Sequence, residues 1–282
     1  MFQDVINGSY GTHERHKFDF FRANSDKPTP LIVYIHGGGF IMGDKSDYPK
    51  EDKEQCLNNT ISYATINYPF IMHKPLHEIL SDIANAISFL KKNAQEFNIS
   101  PNQIGCYGCS AGAGASLFLA GINNHSQDET ATFHLPADAT IMAAGLYDTQ
   151  STYDFYKWAK LLNVSPNDII LFQNQFDFCP NYSLDLVYHS SIRSENDFFN
   201  EQVVQYRSFL DLIDHISSNT PPIYINCSVN SDNTNDLLHA QVFSKQVYDR
   251  CCQCGVSVKL YTPECNENKE SFVDFFISLI KK

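Results

Sequence analysis

The chain has 282 residues, of which 43% are hydrophobic, and this is enough to bury one large core. Its formal net charge is −12 at pH 7, and Lys and Arg never occur in runs longer than two. Nucleic acids and anionic membrane surfaces attract clustered basic residues, so the charge argues against both as partners. No internal repeat and no linker rich in Pro, Gly or Ser divides the chain, and we expect a single domain over residues 1–282.

The N-terminal segment and the cysteines both bear on where the protein resides. No basic start is followed by an apolar run, and no stretch is long and apolar enough to span a bilayer. The nine cysteines, three of them within residues 251–254, are an odd set typical of reduced thiols. The sequence therefore predicts a cytoplasmic protein without a membrane span. Neither the Cys106 and Cys109 pair nor the cluster with Cys265 has suitable geometry for a metal, and no cofactor is predicted.

Strands and helices alternate in the first half of the chain. Strands are predicted at His16–Phe21, Leu31–Ile35 and Ile61–Tyr68, and the second is continuously apolar, as a strand buried on both sheet faces should be. Apolar residues recur at helical spacing over Leu76–Phe97, and Ser100–Asn102 predicts a turn into the next strand. This alternation predicts an α/β protein with a mostly parallel central sheet.

The stretch Gly108-Cys109-Ser110-Ala111-Gly112 lies between a short apolar strand and a helix of small residues. Such a tight turn requires residues without side chains two before and two after the serine, and both positions are glycine. The helix starts under Ser110, so the Ala111 N–H and the positive end of the helix dipole face any oxyanion formed there. The pattern predicts an exposed serine nucleophile.

A second glycine-rich loop, His36-Gly37-Gly38-Gly39, directly follows the strand Leu31–Ile35. Successive glycines let the backbone approach a ligand closely and aim its N–H groups at one point. The loop is therefore predicted to supply the second half of an oxyanion site.

The alternation is interrupted between residues 147 and 221, where aromatic residues accumulate and Ser165-Pro166 is typical of a helix start. We interpret this segment as a helical insertion. It could form a lid with an apolar pocket over the sheet edge, or its aromatic residues could simply be its own core.

The last third of the chain returns to alternation. A strand is predicted at Ile223–Cys227, a helix at about Leu237–Cys254 and a strand at Val256–Tyr261. An earlier strand is predicted at Thr140–Ala144. A final helix from Phe272 has one apolar face, which we expect to pack on the sheet.

The two glycine motifs together resemble those of the α/β-hydrolase superfamily, specifically the carboxylesterases of the hormone-sensitive-lipase type. The resemblance runs from about Phe18 to Leu146, resumes at Pro221, and takes in Gly43-Asp44, Asn67-Tyr68-Pro69 and Asp82. It implies an α/β-hydrolase fold with helices on both faces of the sheet and a helical insertion before the penultimate strand.

The resemblance also implies roles for individual residues. Ser110 would be the nucleophile, and the N–H groups of Gly38, Gly39 and Ala111 would be the oxyanion donors. The acid of the family follows the strand Ile223–Cys227.

Two aspartates, Asp232 and Asp236, compete for the role of the acid. Counting backward from Gly255 favours Asp236, whereas counting forward from Pro222 favours Asp232. Because loop lengths vary more than strand lengths, we prefer Asp232 and interpret Asp236 as an N-cap of the following helix.

The sequence departs from the family at the base. The family places a histidine after the final strand, but Pro263–Phe272 contains none, and no histidine follows His239. His239 is the candidate base, although a helix-borne imidazole has little freedom to align with Ser110. We therefore expect a serine carboxylesterase for small esters with impaired or absent turnover. The alternatives are an inactive relative that binds a small carbonyl compound or a protein partner, and a homodimer formed through aromatic residues of the insertion.

Overall fold

The structure of the protein is a computed structural model, and it describes residues 3–122, 136, 138–168, 184–188, 190–233 and 236–281. An eight-stranded sheet in the order β1-β2-β4-β3-β5-β6-β7-β8 forms its centre. The strands β1 and β2 pair antiparallel at one end, β2 pairs antiparallel with β4, and the pairs from β4 to β8 are parallel. The strands are β1 (Val5–Ser9), β2 (Lys17–Phe21), β3 (Thr29–Ile35), β4 (Ser62–Ile66), β5 (Ile99–Cys109), β6 (Ala143–Tyr147), β7 (Ile223–Asn226) and β8 (Val258–Tyr261).

Helices cover both faces of the sheet, as parallel strands require. The residues of β3 alternate between the two cores, with Leu31, Val33 and Ile35 on one face and Ile32 and Tyr34 on the other. The described α-helices are α1 (Lys50–Asn58), α2 (Leu76–Lys92), α3 (Ala94–Phe97), α4 (Ala111–Gly121), α5 (Phe155–Leu161), α6 (Leu184–Tyr188), α7 (Glu201–Leu210), α8 (Gln241–Gln253) and α9 (Phe272–Ile280).

Three helices show how the sequence pattern decides packing. Every residue of α4 is buried. Because its Ala and Gly residues have a small side chain or none, the helix can lie close to the sheet. The predicted apolar face of α2 is buried, and α9 packs Phe272 and Phe276 on the opposite sheet face. The predicted α/β-hydrolase architecture is confirmed.

Most predicted boundaries differ from the structure by one or two residues, and several predictions differ by more. The expected turn at Ser100–Asn102 lies inside β5, where the register with β3 shifts and β5 accommodates extra residues as a bulge. The helix α8 begins at Gln241 rather than near Leu237, and the strand predicted at Thr140–Ala144 begins at Ala143. The strand β1 was not predicted, because its side chains are largely exposed and give no apolar alternation.

The segment between β6 and β7 contains α5, α6 and α7, together with 3-10 helices at Glu195–Phe199 and Leu212–His215. Asp154 links these helices, because its carboxylate accepts hydrogen bonds from Tyr188 Oη (2.8 Å) and Arg207 Nε (2.9 Å). The aromatic residues Tyr153, Phe155, Tyr156, Trp158 and Phe198 are buried, which favours the interpretation that they form the core of the insertion.

Some expectations for this segment stay predictions. The predicted aromatic residues between 172 and 182 lie outside the described residues, and the lid and the homodimer stay predictions. Phe199, one of the aromatic residues of the insertion, is 56% exposed.

In the described part of the chain, no helix has the length and hydropathy needed to cross a membrane.

Candidate active site

Ser110 occupies a strained turn between β5 and α4. Its φ of 54° and ψ of −119° lie outside the ordinary regions for a residue with a side chain. The Ser110 N–H donates to the Tyr147 carbonyl on β6 (2.9 Å), and the Ser110 carbonyl accepts the Gly114 N–H (3.0 Å). These two bonds hold the backbone on both sides of the turn and fix the serine between strand and helix.

The two glycines that flank Ser110 are required by the neighbouring strand. A Cβ atom at either Gly108 or Gly112 would overlap the Ile35 carbonyl oxygen at the end of β3. The prediction that both positions must lack a side chain is confirmed. A Cβ at Gly37 would stand 3.6 Å from Ser110 Cβ, so the glycine loop after β3 lies directly beside the serine.

The glycine loop after β3 has positive φ angles, which glycine adopts more readily than other residues. Gly38 and Gly39 have φ of 99° and 61°, and Phe40 follows with 61°. The Gly38 carbonyl accepts the N–H groups of Ile41 and Met42 (3.0 and 3.1 Å), which closes the loop as a tight turn. Within the described ranges, the N–H groups of Gly38 and Gly39 have no protein acceptor, so both can donate to a ligand.

His36 supports this loop from beneath. Its ring stacks on Tyr68 with centroids 4.2 Å apart, and its Nδ1 lies 2.7 Å from the Gly37 carbonyl. Burial lowers the pKa of His36 to about 4, and the hydrogen bond to Gly37 only partly opposes that effect. The imidazole is therefore neutral near pH 7, with Nδ1–H donating to Gly37 and Nε2 accepting from Arg15 Nη2 (3.3 Å).

Arg15 joins three segments around the glycine loop. It donates from Nη2 to the Gly43 carbonyl (2.9 Å) and from Nε to the Tyr68 carbonyl (2.8 Å), while its guanidinium lies 3.8 Å from the Phe70 ring centre. The planar fork of arginine suits such a multiple contact. Sequence reasoning missed this residue, since nothing in the strand β2 region marks a lone arginine as a partner of a distant loop.

The residues Asp44 and Asn67 brace the far side of the loop. Asn67 Nδ2 donates to Asp44 Oδ2 (2.8 Å), and Asn67 Oδ1 accepts the Lys45 N–H (2.6 Å). Burial alone would raise the pKa of Asp44, but the hydrogen bonds from Asn67 and Ser46 lower it to about 2. The carboxylate is thus ionised under all ordinary conditions and fixes the loop exit.

His239 approaches Ser110 from the loop between β7 and α8. Its Nε2 lies 3.0 Å from Ser110 Oγ, within the range required of a general base. His239 is not part of a helix, because α8 begins at Gln241 and Ala240 is its extended N-cap. We expected a helical backbone to limit how well the His239 imidazole can align with Ser110. Because His239 lies in a bend before α8, that limit does not apply, and the imidazole reaches the serine.

The carboxylate that contacts His239 is Asp236. Its Oδ2 lies 3.1 Å from His239 Nδ1, while its Oδ1 accepts the backbone N–H groups of Leu238 (3.1 Å) and His239 (3.0 Å). Burial alone would raise the pKa of Asp236, but the hydrogen bonds and charge of His239 lower it below its usual range. Asp236 is therefore ionised and orients the imidazole.

The structure places Asp236, and not Asp232 as the sequence-based preference expected, beside His239, and the role of either aspartate as the acid stays a prediction. Asp232 lies exposed in a turn, whereas Asp236, which was interpreted as a helix cap, is the hydrogen-bond partner of His239. Asp236 does cap backbone N–H groups, but they belong to the bend that carries His239 and not to α8. The backward count from Gly255 was the better guide because α8 is regular and the loop before it is not.

The observed contacts define one proton arrangement. With a proton on Nδ1 donated to Asp236, His239 Nε2 is free to accept the Ser110 hydroxyl proton. The Ala111 N–H belongs to the first turn of α4, where helical N–H groups have no partner within the helix. Serine, imidazole, carboxylate and backbone donors thus meet at the carboxyl edge of the sheet.

Cys109 sits beside Ser110 but is a poor candidate for chemistry. Burial raises the pKa of its thiol to about 11, and burial likewise raises that of Cys106. Neither is a thiolate near neutral pH. Among the described residues, no group of three or more His, Cys, Asp or Glu side chains is arranged to hold a metal ion.

Comparison with known proteins assigns this sequence to a family. Residues 19–246 match the BD-FAE family, and this stretch contains Ser110, Asp236 and His239. The chain belongs to the BD-FAE family. The BD-FAE match ends before β8, so the turn that lacks the expected histidine lies outside it. The predicted relationship to α/β-hydrolase carboxylesterases is confirmed.

Individual relatives match part of this chain, and solved structures share its fold. A probable isoprenylcysteine alpha-carbonyl methylesterase of Arabidopsis thaliana is 32% identical over 105 residues, which is 37% of this BD-FAE chain but 25% of the relative. A truncated carbohydrate esterase from gut microbiota superposes with a TM-score of 0.76 at 17% identity, covering 99% of this chain and 97% of the other. A fungal esterase of Rhizomucor miehei superposes with a TM-score of 0.65 at 16% identity, covering 99% and 83%.

Proposed function

We propose that this protein is a serine carboxylesterase that hydrolyses small esters. The observation that carries the proposal is the continuous chain of contacts from Ser110 Oγ through His239 (3.0 Å) to Asp236 (3.1 Å). Such a chain activates a serine, because the base removes the hydroxyl proton while the carboxylate holds the imidazole in the correct tautomer.

The proposed reaction has two halves. Ser110 Oγ attacks the ester carbonyl carbon as His239 takes the hydroxyl proton, and the N–H groups of Gly38, Gly39 and Ala111 donate to the oxyanion. The protonated imidazole then gives its proton to the departing alkoxide, leaving an acyl-enzyme and an alcohol. In the second half His239 removes a proton from water, which attacks the acyl group and releases the acid with Ser110 restored.

The position of His239 supports full rather than impaired turnover. The expectation of weak activity depended on a base confined to a helix, and the base instead occupies a bend whose backbone N–H groups are anchored by Asp236. Impaired turnover stays a prediction that kinetics must test. The rate of wild-type protein on short-chain aryl esters, compared with that of Ser110→Ala, is the direct measurement.

The surroundings of the serine support small esters with an apolar portion. Met42 is 46% exposed, and its Cγ would stand 2.9 Å from a Cβ at Gly38, so this side chain lies against the oxyanion loop. Leu238 is 37% exposed and adjoins His239. The names of the similar proteins, a methylesterase and a carbohydrate esterase, support short acyl or alkyl groups. A panel of acetyl, propionyl, butyryl and methyl esters would rank them.

The competing function is ligand binding without catalysis. A fluorophosphonate probe separates the two, because it forms a covalent adduct only with an activated serine. We expect labelling of wild-type protein and none of Ser110→Ala. Absence of labelling and turnover in folded wild-type protein, together with thermal stabilisation by an ester or ketone, would instead favour the binding function.

The free thiols support a reducing compartment such as the cytoplasm. All eight cysteines in the described ranges are free, and Cys252 and Cys265 are exposed and open to oxidation. Trapping the thiols with an alkylating reagent in intact cells, followed by mass analysis, would test this. Unmodified, disulfide-bonded cysteines would contradict the proposed location.

A further inference from the structure

Glu264 occupies the turn after β8, in which the resemblance led us to expect a histidine. The Thr262 and Cys265 backbones exchange hydrogen bonds (3.1 and 3.0 Å) around Pro263 and Glu264. Proline in the second position of such a four-residue turn fixes the local φ angle. Glu264 therefore extends from a turn that Pro263 and the backbone hydrogen bonds between Thr262 and Cys265 hold in shape.

The Glu264 carboxylate contacts both ends of the loop that carries Asp236 and His239. Its Oε1 accepts the Ser231 N–H (2.8 Å), and its Oε2 accepts from Gln241 Nε2 (2.6 Å). Ser231 precedes Asp236, and Gln241 is the first residue of α8 after His239. One side chain thus spans the two flanks of the loop.

Two further contacts connect the start of this loop to α8 and to the segment after β6. Gln241 Nε2 also donates to the Val229 carbonyl (3.3 Å), and Ser228 donates from its N–H and Oγ to Asp148 after β6 (2.6 and 2.8 Å). The hydrogen bonds from Ser231 and Gln241 lower the pKa of Glu264 to about 2, so it is an anion near neutral pH. Charge-assisted hydrogen bonds of this kind are stronger than neutral ones.

We propose that Glu264 is a positioning residue, which ties Ser231 to Gln241 at the start of α8 so that Asp236 and His239 stay aligned with Ser110. This inference rests on the proposed esterase function. Glu264 touches none of the three reacting side chains, and it acts through Ser231 and Gln241. A long loop that carries both acid and base needs such a tie, since misplacement of a catalytic group by about 1 Å can cost about 100-fold in rate.

The first test compares Glu264→Ala with Glu267→Ala, a change of a neighbouring exposed glutamate in the same segment. We expect Glu264→Ala to lower kcat about 10- to 100-fold with KM changed less than about threefold, because alignment and not binding is affected. Glu267→Ala should match wild type. A wild-type kcat for folded Glu264→Ala would overturn the proposal.

A second variant pair tests the contact itself. In Glu264→Gln the new amide still accepts the Ser231 N–H, but its NH₂ group faces the NH₂ group of Gln241, so kcat should fall. Adding Gln241→Glu restores a donor and an acceptor in exchanged positions and should recover part of the lost rate. Because Gln241→Glu also removes the hydrogen bond to the Val229 carbonyl, the reference for the double variant is Gln241→Glu alone. A double variant no faster than that single variant would contradict a role for this contact.

An NMR measurement separates this inference from the esterase proposal. The imidazole ¹⁵N signals of His239, identified by their loss in His239→Ala, should show the Nδ1–H tautomer in wild type and a mixture in Glu264→Ala. This readout does not need turnover. If wild-type protein has no Ser110-dependent activity, the esterase proposal fails, and an unchanged His239 tautomer in Glu264→Ala would then overturn the positioning role as well.

Discussion

Asp236 uses its two carboxylate oxygens for two different tasks. One oxygen accepts the N–H groups of Leu238 and His239, and the other contacts His239 Nδ1. The same side chain therefore shapes the bend and orients the imidazole within it. An amide at this position could keep some contacts with the backbone but would present the wrong group to the ring.

The first prediction concerns the base. Replacing His239 by Ala should lower kcat on an aryl ester by about 10³-fold or more, because only the oxyanion donors and substrate binding then contribute. The thermal unfolding midpoint should change little, since the imidazole is partly exposed. An unchanged rate for His239→Ala would exclude it as the base.

The second prediction distinguishes the two aspartates. Asp236→Asn should lower kcat by about 10²- to 10⁴-fold, because the amide favours the wrong imidazole tautomer, whereas Asp232→Asn should leave the rate unchanged. Steady-state kinetics of both variants on one substrate provide the comparison. A larger loss in Asp232→Asn would restore the original preference for that residue as the acid.

The turn between β5 and α4 fixes the position of Ser110, and the end of β3 determines which residues that turn tolerates. Gly108 and Gly112 both meet the Ile35 carbonyl, so the strand that carries the glycine loop also shapes the serine turn. We expect a larger residue at either glycine to displace Ser110 and the glycine loop together. The glycine loop after β3 and the turn at Ser110 therefore constrain each other sterically.

The third prediction tests this dependence. Gly112→Ala should destabilise the fold by about 3 kcal/mol, because a methyl group would overlap backbone that cannot move aside. Gly255→Ala is the matched control, since Gly255 has a φ of 72° but no atom within 4 Å, and it should cost about 1 kcal/mol. Gly112 has no positive φ, so its loss reports overlap alone, and Gly255→Ala reports backbone conformation alone. Urea unfolding measures both; a loss for Gly112→Ala below about 1 kcal/mol would show that the surrounding backbone does move aside.

The regular elements could be predicted from the sequence to a large extent, and the site only in part. The apolar run of β3 and the helical spacing of α2 follow from burial on a sheet, and the glycines around Ser110 follow from sterics. The carboxylate partner of His239 could be narrowed to Asp232 or Asp236, but the sequence did not decide between them. The choice depends on where α8 begins, and that is decided by contacts such as Glu264 with Gln241, which join residues distant in sequence.

At the scale of the whole molecule, buried and ionised groups make stability depend on pH. His36 has a pKa near 4 in the folded protein, and an imidazole in the unfolded chain has a pKa of about 6.5. Between these values the unfolded chain binds a proton that the folded protein does not. Stability therefore falls as the pH falls from about 6.5 towards 4.

The fourth prediction follows from that difference. Replacing His36 by Gln should reduce the slope of unfolding free energy against pH by about 1.4 kcal/mol per pH unit between pH 4.5 and 6. Below pH 4 the slope should persist in both proteins, because the depressed pKa of Asp44 adds stability that is lost as that carboxylate is protonated. Urea unfolding at several pH values is the measurement; equal slopes would show that His36 is not the titrating group.

The order of the proposed reacting groups along the chain has a consequence for synthesis and assembly. Ser110, Asp236 and His239 all precede β8, while α9 packs Phe276 against β5 at Gly105. A nascent chain would therefore carry every reacting group before the segment that covers the nucleophile strand is made. A polypeptide cut within residues 266–270 would divide into one fragment that contains all three proposed reacting residues and a short fragment that contains α9, and we expect Ser110-dependent esterase activity only when the two are combined.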